Sequence, residues 1–470
     1  MKKFASIILS LAMILSITAC DKSGNGSDTP SDNSAGTSSD VGGENSGGES
    51  ENNGNNGGEE NPNTLSNPVK KTADGDIDME AALAYETDYE ALVKSLSERE
   101  VDLSKPVSLN AQNNPETMKV WNYLKEGYGK QIISAQQQMN LQQVFEDKVY
   151  YNALEDLPAM KGFDFIFATG DNPDRGFVDA ALEWGQESGG LVTFCWHWNV
   201  PRDVDHQDQG RAFYMDKDGV KIVNWNARNA TIPGTKEYEV AVHDIDLVAS
   251  YMQELEAAGI TVLWRPLHEA SGSWFWWGMQ PDIDRDAVRD GTYDTFQRLW
   301  YMIYDRFENY HKLSNIIWVW NGQAKFLQVD PNAYDISGID VYPNSEDHSP
   351  LAKSYESLKG YTHEGKMLAL SECGYIPDPQ QCVDEDIMWL YYMPWNGEFI
   401  YEPVSSTSSS PKTDLFGTPH PNPERLSDEM LQEYFSNPAL VSWRDLPQLY
   451  GERNVPTRIT VWEATKQPAV

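Results

Sequence analysis

Cysteine is scarce: the chain has four in 470 residues, and no two stand in a C-x-x-C spacing. That argues against a structural zinc site. Positive charge is scarce too. Lys and Arg number 36 against 72 Asp and Glu, a formal net charge of −36. A nucleic-acid binder needs a basic face, and an anionic polymer would be repelled, so a neutral partner is favoured. Past the N-terminus no apolar run reaches the roughly 18 residues that a membrane-crossing helix needs. No Gly-rich phosphate loop follows an early strand. The run His268-Glu269-Ala270-Ser271-Gly272 lacks the second His of a zinc-peptidase helix. Residues 21–66 have no aromatic at all, with nine acidic residues and one basic among Gly, Ser and Asn. Such a stretch buries too little apolar surface to offset chain entropy and is expected to be disordered.

What is present begins with Lys2 and Lys3, a short apolar stretch, and Ile17-Thr18-Ala19-Cys20. Charge, apolar core and small residues read as a secretory signal over residues 1–19. A Cys after the small pair resembles a bacterial lipobox, which implies lipidation at Cys20. Residues 20–66 would then form an acidic, flexible tether. The alternative is an ordinary signal peptide with an incidental Cys. The lipid reading implies a chain exported across the inner membrane. It would be held at a bacterial membrane, at the cell surface, by its anchor alone. Of the other cysteines, Cys195, Cys373 and Cys382, at least one must stay free; Cys373 and Cys382 have the option of pairing.

Residues 67–470 are rich in Trp and Tyr and read as one globular domain. A leading helix is expected over 79–96. Short apolar runs then alternate with longer patterns of helical period. Strands are expected at 131–135, 163–168, 190–198, 261–268, 315–320, 336–342, 366–371 and 388–395. Helices fall between them, among them 238–258 and 293–310, with another at 428–435. Eight strands alternating with helices predict a (β/α)8 barrel, with a doubly wound sheet as the competing α/β architecture. Runs such as Ile316-Ile317-Trp318-Val319-Trp320 suit parallel strands buried on both faces.

In such a barrel, chemistry sits where strands end. Polar and aromatic residues close the runs: Trp196-His197-Trp198-Asn199, Arg265-Pro266-Leu267-His268-Glu269, Trp320-Asn321-Gly322, Asp340-Val341-Tyr342, Ser371-Glu372-Cys373-Gly374 and Pro394-Trp395-Asn396. Glu269 and Glu372 close strands 4 and 7, on opposite sides of an eight-stranded barrel. Such a pair suits glycosidic cleavage: one carboxylic acid protonates the leaving oxygen, and the other attacks the anomeric carbon or activates water. Arg265 shares strand parity with Glu269 and is placed to donate to Glu372, or to pair with an acidic residue for stability alone. The run Ser273-Trp274-Phe275-Trp276-Trp277-Gly278 cannot be all core, because neighbouring side chains point different ways.

Trp264 to Glu269 followed by Ser273 to Gly278 resembles the acid/base segment of glycoside hydrolase family 26, a family dominated by endo-β-1,4-mannanases. Leu370-Ser371-Glu372-Cys373-Gly374 resembles its nucleophile strand. Gly189-Gly190-Leu191-Val192-Thr193, running on to Trp196-His197-Trp198, resembles its third strand, and Gly338-Ile339-Asp340-Val341-Tyr342 its sixth. The resemblance spans about residues 130–449. It implies a retaining double displacement with Glu269 as acid/base and Glu372 as nucleophile. It implies no metal and no organic cofactor. It suggests His268 and Trp274 as substrate-binding residues. The residues themselves offer His197 and Asp340 for sugar hydroxyls, Trp395 beside Trp274 as a sugar platform, and Tyr342 as a hydroxyl donor to Glu372, all in the substrate-binding set with Arg265. For Asp340 the alternative is a partner for Arg265 without substrate contact. The expected partner is a β-mannan, met by a monomer. The rivals are the same fold acting on mixed-linkage β-glucan or β-1,3-xylan, and a glycan-binding surface lipoprotein without catalysis. The Ser-, Thr- and Pro-rich residues 405–423 are expected to form a long loop beside the cleft.

Overall fold

Eight parallel strands follow one another around a closed ring in the computed structural model, which describes residues 67–466 apart from 218–219, 407 and 452. The expected signal peptide, Cys20 and the 20–66 tether lie outside the described residues. The strands are β1 (Ile132–Gln137), β2 (Met160–Asp164), β3 (Leu191–Cys195), β4 (Val262–Arg265), β5 (Ile316–Trp320), β6 (Ile336–Val341), β7 (Met367–Cys373) and β8 (Tyr391–Pro394). Each pairs with the next, and β1 with β8 closes the ring through Ile133 opposite Tyr391. A short parallel strand, Leu440–Val441, also pairs with β1. This is the (β/α)8 barrel, and no doubly wound sheet forms among the described residues.

Helices cover the outside. Among them are α1 (Phe145–Leu154), α2 (Gly176–Ser188), α3 (Lys236–Ala257), α4 (Thr295–Asp305), α5 (Ala352–Tyr361), α6 (Pro379–Asp384) and α7 (Asp428–Phe435). Thr235 caps α3 by accepting the Tyr238 N–H, and Ser427 caps α7 through Met430. The eight strands are buried along nearly their whole length, and those such as β5 read as continuous apolar runs for that reason, while β1 and β2 bury polar residues, among them Gln136 and Lys161.

The structure corrects several boundaries. The expected leading helix is two, Met79–Leu83 and Tyr89–Ser97, because Asp78 and Asp88 each start a helix by accepting an N–H three residues on. The second strand lies three residues earlier than expected. Phe165–Phe167 is a 3-10 turn whose Ile166 N–H is taken by Asp164 Oδ1 at 2.9 Å. An apolar run of that length does not distinguish a strand from a buried turn. The fourth strand stops at Arg265, so Glu269 stands in a turn and strand parity does not place it. The seventh runs on to Cys373, so Glu372 belongs to the strand. Cys195, Cys373 and Cys382 are buried free thiols, so Cys373 and Cys382 do not pair. The long segment after β8 folds on itself through the bridges Tyr401–Pro421, Pro403–Pro411 and Thr413–Pro419.

Candidate active site

The carboxyl-terminal ends of the strands converge on one polar cluster. Arg265, the last residue of β4, is wholly buried. Its Nη2 donates to Glu372 Oε1 at 2.7 Å and its Nη1 to Asp340 Oδ2 at 3.0 Å. Tyr342 Oη donates to the other Glu372 oxygen at 2.5 Å. Glu372 thus has a donor on each oxygen.

Regular alternation along β7 would put Ser371 and Glu372 on opposite faces. They share one cluster because the strand is irregular there. Ile339 of β6 faces Leu370, but the next pair is Asp340 with Glu372, so β7 carries one extra residue. Ser371 Oγ then donates to Asp340 Oδ1 at 2.7 Å while Glu372 holds Arg265.

Glu269 enters from the turn after β4. Leu267 and Glu269 both adopt the left-handed region, with φ of 52° and 54°, a costly backbone for residues with a Cβ. The Glu269 N–H donates to Asn321 Oδ1 at 3.1 Å, and its Oε2 accepts from Trp274 Nε1 at 3.0 Å. Carboxylate oxygens of Glu269, Asp340 and Glu372 lie within 4.8 Å of one another. Three such oxygens are a donor set for a cation, but Arg265 already supplies positive charge between Asp340 and Glu372.

Burial, then the carboxylates of Glu372 and Asp340, push the Glu269 carboxyl well above the usual range. Glu372 is also pushed up by burial and by Asp340, to about 7, with Arg265 and Tyr342 acting in the other direction. The two environments separate the pair: Glu269 is the better proton holder and Glu372 the better anion. Burial and the neighbouring His197 and Arg265 pull His268 well below its ordinary value, so its ring is neutral.

His197 follows β3. Its Nδ1 meets Asp164 Oδ2 at 2.5 Å, its own N–H donates to Asp164 Oδ1 at 2.9 Å, and its ring lies 4.6 Å from that of His268. Trp395 follows β8, is buried, and sets its ring 5.8 Å from His197. Trp274 is half-buried, while Phe275, Trp276 and Trp277 are buried. Asp340 has a fully buried side chain: Oδ1 takes Asn321 and Ser371, and Oδ2 takes Arg265 and Gln323. That is the partner-of-Arg265 geometry. The structure therefore brings His197, Arg265, His268, Glu269, Trp274, Asp340, Tyr342, Glu372 and Trp395 to one end of the barrel.

Four further residues here were not picked out from the sequence. Asn321 was visible as the residue closing β5. Asp164 was hidden by the misplaced second strand. Ser371 was hidden by the bulge. Tyr214 comes from the long excursion between β3 and α3, which carries no strand-end signal. Its ring stacks on Phe275 at 5.5 Å, and burial, then the charges of Glu269 and Glu372, push its hydroxyl above the ordinary range.

A (β/α)8 barrel with two opposed glutamates at the carboxyl-terminal ends of β4 and β7 is the layout of a glycoside hydrolase. The chain belongs to glycosyl hydrolase family 26, whose family model matches residues 109–419. It is similar to mannan endo-1,4-beta-mannosidase A of Piromyces sp, at 34% identity over 73% of this chain and 51% of that one. A mannan endo-1,4-beta-mannosidase of Thermothelomyces thermophilus is 30% identical over 61% of this chain and 57% of its own. The chain thus spans about half the length of these curated relatives. Among solved structures it resembles a beta-mannanase from a symbiotic protist of the termite Reticulitermes speratus, complexed with gluco-manno-oligosaccharide. That likeness has a TM-score of 0.59 and 26% identity, over 73% of this chain and 98% of that one.

Proposed function

We propose that this chain is a retaining endo-β-1,4-mannanase, acting on internal bonds of mannan, glucomannan or galactomannan. One observation carries the retaining mechanism, while the likeness to mannan endo-1,4-beta-mannosidases supports the substrate and the endo action. Glu269 and Glu372 bring carboxylate oxygens within 4.8 Å across the barrel mouth, Glu372 with a donor on each oxygen. That closeness suits a nucleophile rather than a pair separated by a water, since retaining pairs stand about 5–5.5 Å apart.

In the first step a Glu372 oxygen attacks the anomeric carbon. The bond from that carbon to the leaving oxygen breaks, and the Glu269 proton goes to that oxygen. In the second step Glu269, now a carboxylate, takes a proton from water while the water oxygen attacks the anomeric carbon. The ester bond breaks and Glu372 leaves as carboxylate. Arg265 and Tyr342 hold Glu372 charged and oriented. Asp340 acts through Arg265. His197 and His268, close together, offer hydrogen bonds to sugar hydroxyls. Trp274 and Trp395 offer faces to the C–H side of the pyranose. Lipidation at Cys20, with attachment to a membrane, belongs to the same proposal, and metabolic labelling with palmitate tests it.

The test of substrate uses protein starting near Asn67. It is incubated with linear β-1,4-mannan, galactomannan, mixed-linkage glucan and β-1,3-xylan, and new reducing ends and product sizes are followed. Early release of mixed manno-oligosaccharides is expected. Mannobiose alone would replace endo by exo action, and cleavage of another glycan would overturn the substrate. Retention on a glycan without cleavage would favour a binding protein.

A further inference from the structure

The geometry points to Asn321 as the residue that positions Glu269, acting through the backbone rather than through the carboxyl. The inference rests on the reading of Glu269 as the acid/base. Asn321 is fully buried and its amide is saturated. Oδ1 accepts the Glu269 N–H at 3.1 Å and Gln323 Nε2 at 2.9 Å. Nδ2 donates to Asp340 Oδ1 at 2.8 Å and Ser371 Oγ at 2.6 Å.

These partners allow one orientation. Rotating the amide by half a turn would set its NH2 against two donors and its oxygen against the Asp340 carboxylate. The orientation is therefore fixed from both sides, by Asp340 and Ser371 on the Glu372 side and by Gln323 on the other, and it presents a fixed acceptor to the Glu269 N–H. What it holds is a left-handed residue, which needs its surroundings to keep it there. Glu269 has two further restraints: its carbonyl accepts the Gly272 N–H at 2.9 Å within the turn, and its carboxyl accepts the Trp274 indole N–H at 3.0 Å. Without the Asn321 oxygen, the Glu269 N–H loses its partner, and the turn loses the contact that ties it to β5, keeping only its own closure through Gly272.

The role predicts a dependence on the leaving group. A poor leaving group, such as a sugar hydroxyl, needs the proton from Glu269. A 2,4-dinitrophenolate leaves without it. Asn321→Ala should lower kcat/KM on mannopentaose by about 100-fold, the range of general acid catalysis. On 2,4-dinitrophenyl β-mannobioside the loss should stay below about tenfold, because the general-acid contribution is not drawn on. A merely structural role would lower both equally, and equal losses overturn the inference. Should Asn321→Ala fail to fold, Asn321→Ser is read in the same way, because it keeps a hydroxyl near Asp340 but removes the amide oxygen. Glu269→Ala runs beside them. If it shows the leaving-group dependence, with azide restoring turnover, and the Asn321 variants do not, the positioning role alone is wrong. If Glu269→Ala shows no such dependence, the acid/base reading fails and the inference with it.

Discussion

At the residue scale, the site separates two glutamates by what surrounds them. Glu372 is buried and Glu269 half-buried, and loss of water raises both. Glu372 receives Arg265 and Tyr342, which favour its charged form, whereas Glu269 receives one indole N–H and faces two carboxylates. The Tyr342 hydroxyl is the contact most simply removed. Tyr342→Phe takes away a donor to the Glu372 anion, so the Glu372 carboxyl rises further. The acid limb of kcat/KM against pH should move to higher pH. A hydrogen bond to a charged group is worth about 1.5–3 kcal/mol, so the maximum should fall by about 10- to 100-fold. An unmoved acid limb would show that Tyr342 does not act on Glu372. Glu372 was legible because it closes the apolar run of β7, and Glu269 because it stands in the polar turn that follows the run of β4. Tyr214 was not, because a loop residue is brought to the site by packing on Phe275 and by nothing periodic in its own segment.

At the element scale, β6 and β7 do the placing. The extra residue in β7 turns Ser371 and Glu372 toward one cluster, and β6 must come close enough for Asp340 to serve both. Gly338 permits that approach: a Cβ there would lie 2.5 Å from Ser371 Oγ and 3.2 Å from Asn321 Nδ2. Gly338→Ala should destabilise the fold by about 1–3 kcal/mol, as overpacking does. It should also reduce activity beyond what thermal unfolding explains, because the methyl meets the network around Asp340. Denaturant melts together with kcat/KM measured well below the transition check this. Strand existence was legible from the apolar runs. The bulge was not, because its cause is the mismatch between neighbouring strands, and a single run of sequence contains only one of them.

At the scale of the whole molecule, the segment before the Pro115–Gly127 helix is tied to the barrel through buried carboxylates. The Val107 N–H donates to Asp335 at 2.7 Å, and Ser108 Oγ to Glu308 at 2.7 Å, while Trp318 donates to both carboxylates. Burial pushes Glu308 up to about 7 and Asp335 up to about 6. Glu146, in the first turn of α1, is likewise raised to about 7 by burial. For each of these the folded chain holds a proton that the unfolded chain has released. Their stabilising contribution is complete below the unfolded values of about 4 and is lost as pH rises toward about 7. His268, held neutral, acts in the opposite direction below its ordinary value, but it is one imidazole against several carboxylates. The melting temperature should therefore be lower at about pH 7.5 than at about pH 5.5, and Glu308→Gln should flatten that slope. A melting temperature that rises over this interval would contradict the burial argument.

The alternation of apolar strands and helices, and with it the barrel, is written in the order of the residues. That order also made the carboxylate pair visible, because Glu372 interrupts the apolar run of β7 and Glu269 closes the polar turn that follows β4. Tertiary structure decided what each carboxylate touches. It decided the left-handed turn at Glu269, the bulge beside Glu372, and the Asn321 amide between them. These depend on the distance and register between strands far apart in the chain, which no local pattern of residues encodes.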